Sequence, residues 1–132
     1  MAATVDVLSN GYLTLGIGAG WFKGEADAYG LAFPDTGERL DRLKNAVDTL
    51  KAMLHNSPSN HTGRYYIIID ALNRPQPIQR PHPPIMIGGA GPMTLRIAAR
   101  EVDIWNCTGV DASRFQQHRL FARYVLPKLR RL

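Results

Sequence analysis

Hydrophobic and polar residues recur with a helical period in one long segment of this chain. From Glu38 to Leu54, every third or fourth residue is apolar, and the charged residues lie largely off that stripe. This spacing predicts an amphipathic helix that packs one face on a core. Asp35 or Thr36 precedes the segment and can accept the free amide hydrogens at the helix start. The apolar stripe consists of Leu40, Leu43, Val47, Leu50 and Leu54.

Three short apolar runs have the alternation and the branched side chains that are typical of strands. They cover residues 12–17, 85–88 and 102–106, and a second helical pattern follows the middle run from Met93 to Arg100. Branched and aromatic residues from Thr62 to Asp70 predict a further strand within a hairpin-like excursion. This order of helices and strands predicts an α/β fold with a parallel sheet.

Composition and length agree with a globular protein, since 45% of the 132 residues are hydrophobic and 20% are charged. No apolar run reaches the roughly 20 residues of a membrane helix, and Met1 is not followed by a signal-peptide pattern. Cys107 is the only cysteine, which excludes an intrachain disulfide. We therefore expect a soluble, cytoplasmic protein with no membrane partner.

The net charge of +5 comes from the residues at the C-terminal end of the chain. Residues 1–110 hold ten basic and ten acidic residues, whereas residues 111–132 hold six basic residues and only Asp111 on the acidic side. We therefore divide the chain into a neutral region, 1–110, and a basic C-terminal helical segment, 111–132. A basic segment can bind nucleic acid, but it is equally typical of the exposed face of a terminal helix. We favour the second interpretation and do not expect nucleic-acid binding.

Two strand ends carry glycine clusters, and a glycine turn between a strand and a helix presents free amide hydrogens to an anion such as phosphate. The stronger example is Gly88–Pro92, because a helix begins within it. The other, Gly16–Gly20, fails the dinucleotide pattern because Trp21 stands where a third glycine is required. Lys23 is followed by Gly24, which excludes a P-loop. For Gly16–Gly20, a tight turn explains the glycines better than an anion site does. For Gly88–Gly91, the two explanations are about equally good.

Residue spacing identifies no catalytic group and no metal site. The four histidines are scattered, and no pair has the separation of metal ligands on a helix face. Trp21 and Trp105 each lie at the end of a predicted strand beside a candidate anion site, a position that suits a planar ring. Core packing explains a tryptophan just as often.

Several longer motifs occur in a fixed order between about Val5 and Asn106. They include Leu8–Trp21, Gly37-Glu38-Arg39, Gly63–Tyr66, Pro81–Gly89 and Asp103–Asn106. Together these motifs resemble the luciferase-like monooxygenase superfamily, and within it the deazaflavin-dependent oxidoreductases.

The resemblance implies a (β/α)8 barrel that binds coenzyme F420, a deazaflavin, or FMN at the carboxyl ends of its strands, with a small-molecule substrate. It implies that one loop gives backbone amides to the cofactor phosphate and that further glycines and two tryptophans lie near the cofactor. The implied phosphate loop is Gly88, Gly89, Ala90, Gly91 and Pro92, and the other implied residues are Gly18, Gly20, Trp21 and Trp105.

The chain is shorter than the roughly 250 residues of a complete barrel. It matches the middle of the family pattern, so we predict a partial TIM barrel with about three strands, flanking helices and a hairpin-like insertion. Residues 121–129 resemble the last helix of the family, which suggests an internal deletion after Asn106.

Two functions remain open at this point. The first is an oxidoreductase that transfers hydride between an organic substrate and bound F420 or FMN. The second is a truncated, catalytically inactive relative that acts as a binding or structural module. Such a module would bury its open sheet edges against another copy, and a homo-oligomer is expected.

Overall fold

The computed structural model describes residues 1–106, so Cys107 and the predicted basic segment 111–132 lie outside the described residues. Four helices and five strands occur within this range. In chain order they are α1 (Ala2–Leu8), β1 (Leu15–Ile17), α2 (Lys23–Ala28), α3 (Thr36–His55), β2 (Ser59–Thr62), β3 (Ile67–Ala71), β4 (Ile85–Gly88), α4 (Pro92–Glu101) and β5 (Ile104–Asn106).

Three of the strands form a parallel sheet with β4 at its centre. Strand β4 pairs with β1 on one side and with β5 on the other, with Gly16 opposite Met86 and Ile87 opposite Trp105. This arrangement confirms the predicted α/β fold and the three strands predicted from the apolar runs. Because the strands are parallel, their carboxyl ends meet at one edge of the sheet, where both glycine clusters begin.

Helices α3 and α4 cover one face of this sheet. Ile87 of β4 is fully buried there, and burial of a side chain of this size contributes about 2 kcal/mol to stability. Its neighbour Met86 points to the opposite face, because side chains alternate along a strand. The cluster around Ile87 contains Leu43, Val47, Ile97 and Ala98.

The amphipathic helix predicted over 38–54 is α3, and its start is fixed by a side chain. Asp35 Oδ1 accepts a hydrogen bond of 2.9 Å from the backbone amide of Glu38, which confirms Asp35 as the cap. Leu43, Val47 and Leu54 of the predicted stripe are buried. None of the helices in residues 1–106 combines the length and hydropathy needed to cross a membrane.

The prediction of a single strand over Thr62–Asp70 is wrong, because this segment contains a turn between two strands. The predicted hairpin-like excursion is confirmed. Strands β2 and β3 pair antiparallel on either side of a turn at residues 63–66. A distant side chain holds this turn: Asn45 Oδ1 of α3 accepts hydrogen bonds from the amides of Tyr65, at 2.7 Å, and Tyr66, at 3.0 Å. The turn is therefore held by α3 as well as by its own backbone hydrogen bond, from the Gly63 amide to the Tyr66 carbonyl oxygen at 2.9 Å.

A buried carboxylate joins α1 to the proline-rich connection. Asp6 is fully buried, and its Oδ2 accepts hydrogen bonds from the amides of Ile78, at 2.8 Å, and Gln79, at 3.0 Å. The side chain of Gln79 donates to Asp6 Oδ1 at 2.6 Å and to the carbonyl oxygen of Leu13 at 2.9 Å. Burial alone would raise the pKa of Asp6, but these hydrogen bonds favour the ionised form and leave its pKa below the ordinary value.

We expect Asp6→Asn to lower the free energy of unfolding by about 2 kcal/mol at pH 7, because an amide group cannot accept all of these hydrogen bonds. The lowered pKa means that the folded state binds fewer protons than the unfolded chain between the two pKa values. The contribution of Asp6 is therefore complete above about pH 4 and is lost as the pH falls through the folded pKa.

Urea unfolding of both proteins from pH 7 down to pH 3 measures this contribution. The difference in the free energy of unfolding between wild type and Asp6→Asn should become smaller below about pH 4. A difference that stays constant would contradict the lowered pKa of Asp6. Asp27→Asn is the matched control, since Asp27 is exposed and pairs with Lys23 at 2.6 Å. Its substitution should change stability by less than about 0.5 kcal/mol.

We expect Gly63→Ala to destabilise the chain by about 1–3 kcal/mol, because a methyl group there would overlap the Asn45 amide that holds the turn. Thermal unfolding followed by circular dichroism measures the effect. Gly18→Ala is the control, since nothing lies within 4 Å of a Cβ added at Gly18. Equal stability of the two variants would show that Asn45 does not restrain the turn.

Candidate functional site

A cavity of about 830 Å³ lies at the edge of the sheet where the three strands end. We call it the glycine cavity, because the loops after β1 and β4 form most of its wall. Met86, on the face of β4 that the helices do not cover, lines it together with Asn106 at the end of β5. The remaining wall consists of residues 16–21, Thr36, Arg39, Leu40, Gly88, Gly89 and residues 91–94.

The N-terminus of α4 opens into the glycine cavity. Gly91 is its N-cap, with φ −68° and ψ 150°, and no side chain in the described part of the chain accepts a hydrogen bond from the first turn. Pro92 has no amide hydrogen, so the free donors of this turn are the amides of Met93 and Thr94. These amides and the positive end of the helix dipole can bind an anion.

Strand β5 fixes the loop before α4. Trp105 Nε1 donates a hydrogen bond of 2.6 Å to the carbonyl oxygen of Gly89, and the Gly89 amide donates one of 3.1 Å to the Asn106 carbonyl oxygen. Gly89 has φ +130°, a conformation that side chains other than glycine rarely adopt. A Cβ at this position would also lie 3.1 Å from the methyl group of Thr94. Glycine is therefore required for the loop to take this path.

The structure brings most of the predicted site residues together in the wall of the glycine cavity. These are Gly18, Gly20, Trp21, Gly88, Gly89, Gly91 and Pro92. Ala90 and Trp105 are not among the residues that line it. Trp105 packs partly against the core cluster and acts on the loop through its hydrogen bond to Gly89.

Five further residues line the same cavity and were not among the predicted site residues: Arg39, Met86, Met93, Thr94 and Asn106. For Thr94 a signal was available, because it stands three residues after the glycine that caps α4. For Arg39 no local signal was available, because a charged residue off the apolar stripe of α3 is typical of an exposed face.

A second cavity, of about 440 Å³, lies on the other side of the loop after β1. We call it the aromatic pocket, because the rings of five residues line it: Trp21, Phe22, Tyr29, Phe33 and Tyr66. Trp21 and Phe22 stack with ring centroids 5.3 Å apart. Residues 17–21 and Arg39 line both cavities, so the two form neighbouring compartments.

The histidines within residues 1–106 do not converge on either cavity. The ring of His61 contacts Asn45 at 3.1 Å, and those of His55 and His82 contact backbone carbonyl oxygens. No three residues among His, Cys, Asp and Glu in the described part of the chain are placed to hold a metal ion.

The sequence profile of the family described as luciferase-like monooxygenase matches residues 1–124 of this chain. Two curated relatives illustrate the similarity. The FMNH2-dependent dimethylsulfone monooxygenase of Pseudomonas putida is 32% identical over 107 residues, covering 81% of this chain and 30% of the relative. The F420-dependent glucose-6-phosphate dehydrogenase of Kineococcus radiotolerans is 35% identical over 134 residues, covering 97% of this chain and 36% of the relative. The chain thus spans about a third of the length of these relatives.

Solved structures show the same fold. An F420-dependent secondary alcohol dehydrogenase, in complex with an F420-acetone adduct, matches with a TM-score of 0.76 and 21% identity, over 92% of this chain and 38% of the other. The monooxygenase RslO1 of Streptomyces bottropensis matches with a TM-score of 0.75 and 20% identity, over 95% of this chain and 38% of the other. This coverage agrees with the prediction of a partial barrel. By its family profile and its fold, the chain belongs to the luciferase-like monooxygenase family.

Proposed function

We propose that this chain carries the phosphate-binding part of the cofactor site of an oxidoreductase. The reaction is hydride transfer between a small organic substrate and coenzyme F420 or FMN. The observation that carries the proposal is the open N-terminus of α4, which faces the glycine cavity with no side chain accepting from its first amides.

The residues present fit such a cofactor. A phosphate group needs several donors at one point, and the amides of Met93 and Thr94 stand side by side at the start of α4. A planar ring needs a close approach to the backbone. A Cβ added at Gly18 would meet nothing within 4 Å, so that glycine leaves the cavity wall open. The volume of about 830 Å³ is within the range of cofactor sites.

Each part of the site has a distinct task in this proposal. When bound, F420 or FMN supplies the hydride-carrying ring, and the protein supplies its position and the electrostatic field around it. The amides of Met93 and Thr94 bind the phosphate. Trp105 holds the loop in position through the Gly89 carbonyl oxygen. The loop after β1 forms the wall beside the ring.

The relatives support this proposal, since the two described above are named as F420-dependent and FMNH2-dependent enzymes. Their names include a sugar phosphate and a sulfone, so the similarity does not point to one substrate.

One observation favours the second candidate, a structural module. Within residues 1–106, strands β1 and β5 lie at the two edges of the three-stranded sheet, and a further strand can pair with each edge. We propose on this basis that the chain forms a homo-oligomer. Sedimentation velocity tests this candidate, because a single species at the mass of one chain, 14.7 kDa, would count against it.

We expect the purified chain to bind FMN or F420 at micromolar concentration, measured by the change in cofactor fluorescence on titration. Riboflavin shares the ring of FMN and lacks the phosphate, so it is the matched ligand. We expect FMN to bind about tenfold more tightly than riboflavin, because charge-assisted hydrogen bonds contribute about 1.5–3 kcal/mol. Equal affinity for both would show that the phosphate is not recognised, and absence of cofactor binding would leave the structural module.

Gly91→Asp tests the same site from the protein side. Its backbone is extended, and a Cβ there has ordinary contacts, the nearest being Thr94 Oγ1 at 3.7 Å. Aspartate is a favourable N-cap, so we expect the variant to fold and to place a negative charge where the phosphate binds. Its FMN dissociation constant should rise more than tenfold while that for riboflavin stays unchanged.

The matched control is Gly91→Asn, which caps the helix without a charge. It should weaken FMN binding less than Gly91→Asp does, because it competes for the amides but does not repel the phosphate. Retention of full FMN affinity in Gly91→Asp would place the phosphate elsewhere.

A further inference from the structure

Arg39 is a cation without an acidic partner in the described part of the chain. Its Nη1 donates a hydrogen bond of 2.6 Å to the carbonyl oxygen of Pro34, and its Nη2 donates one of 3.3 Å to Thr36 Oγ1. The guanidinium lies 4.0 Å from the centre of the Phe33 ring. By contrast, Arg42, one turn further along α3, forms an ion pair of 2.7 Å with Glu38.

The environment of Arg39 leaves part of its hydrogen-bonding capacity unused. A guanidinium has five N–H donors, and two of its nitrogens have neutral oxygen partners here. The third nitrogen, Nε, is buried and has no hydrogen-bond partner within residues 1–106. An anion stabilises a half-buried cation whose hydrogen bonds are incomplete. The planar guanidinium group suits a carboxylate, sulfonate or phosphate.

The space beside Arg39 is built for an apolar molecule. The aromatic pocket has a volume of about 440 Å³, which suits a small ligand. Trp21 is 87% exposed and Tyr29 is 73% exposed, so large ring surfaces face solvent there. Among the described residues that line the pocket, Glu25 is the one carboxylate, and it forms no ion pair with Arg39.

We propose that the aromatic pocket binds the substrate, and that this substrate is a flat, apolar molecule with one anionic group that Arg39 holds. The anionic group lies at the wall that the two cavities share, where Arg39 and residues 17–21 stand. The apolar part of the molecule contacts the aromatic rings. The inference rests on the proposed function only in calling the ligand a substrate.

The test measures the binding of 2-naphthoate and of its neutral analogue 2-naphthylmethanol to the full chain by calorimetry. We expect wild type to bind the naphthoate at least tenfold more tightly, and Arg39→Gln to remove this preference, since charge-assisted hydrogen bonds contribute on the order of tenfold or more in affinity. Arg39→Lys should keep part of it. Arg100→Gln is the control, because Arg100 is exposed on α4 and lines neither cavity.

A second arm separates the two possible sources of the anionic group, the substrate and the cofactor. Because Arg39 stands at the wall that both cavities share, Arg39→Gln should weaken FMN binding less than it weakens naphthoate binding. If Arg39→Gln weakens FMN binding and leaves naphthoate binding unchanged, the proposal is overturned, because Arg39 then serves the cofactor.

Further results also test the proposal that Arg39 holds the anionic group of the substrate. Equal binding of naphthoate and naphthylmethanol by wild type overturns the proposal, and this comparison needs no variant. If Arg39→Gln does not fold, as judged by circular dichroism, Arg39→Lys and the wild-type comparison still test it. Arg39-dependent naphthoate binding in a chain that binds neither FMN nor F420 would support the anion site while contradicting the proposed function.

Discussion

The parallel pairing of β4 with both neighbours is the constraint on which the site depends. It puts the ends of three strands at one edge of the sheet, so that loops far apart in sequence enclose one cavity. The same pairing gives β4 two different faces. Ile87 is buried under the helices, and Met86 lines the cavity. The core that stabilises the sheet and the wall of the glycine cavity are thus opposite faces of one strand.

The parts of the fold that were predicted from sequence are those specified by neighbouring residues. The apolar stripe of α3 and its cap Asp35 lie within one segment, and hydrogen bonds across one turn determine where the helix begins. The strand Ile85–Gly88 is a short apolar run that follows prolines and ends in glycine, and its residues Ile85 and Ile87 are buried. The glycine loop Gly88–Pro92 was predicted as an anion site for the same reason, because a strand end and a helix start adjoin there.

The parts that were not predicted depend on contacts between distant segments. The turn in the excursion is held by Asn45 of α3, which accepts hydrogen bonds from Tyr65 and Tyr66, and the sequence of Thr62–Asp70 does not show this partner. Asp6 has the sequence context of an exposed residue in a short helix, yet it is buried against amides more than 70 residues away. Arg39 contacts the nearby residues Phe33 and Pro34. The sequence does not show that the loop after β1, about 20 residues earlier, lies beside it and lines the same two cavities.

The claim at the centre of this account is that the N-terminus of α4 binds the phosphate of a cofactor in the glycine cavity. The most direct measurement is an NMR titration of the nitrogen-15-labelled chain with FMN. Binding of the phosphate at this helix end predicts the largest amide shifts at Met93 and Thr94, with smaller shifts at Gly18 and Gly20. Shifts confined to the hairpin β2–β3, or the same shifts at Met93 and Thr94 with riboflavin, would contradict it.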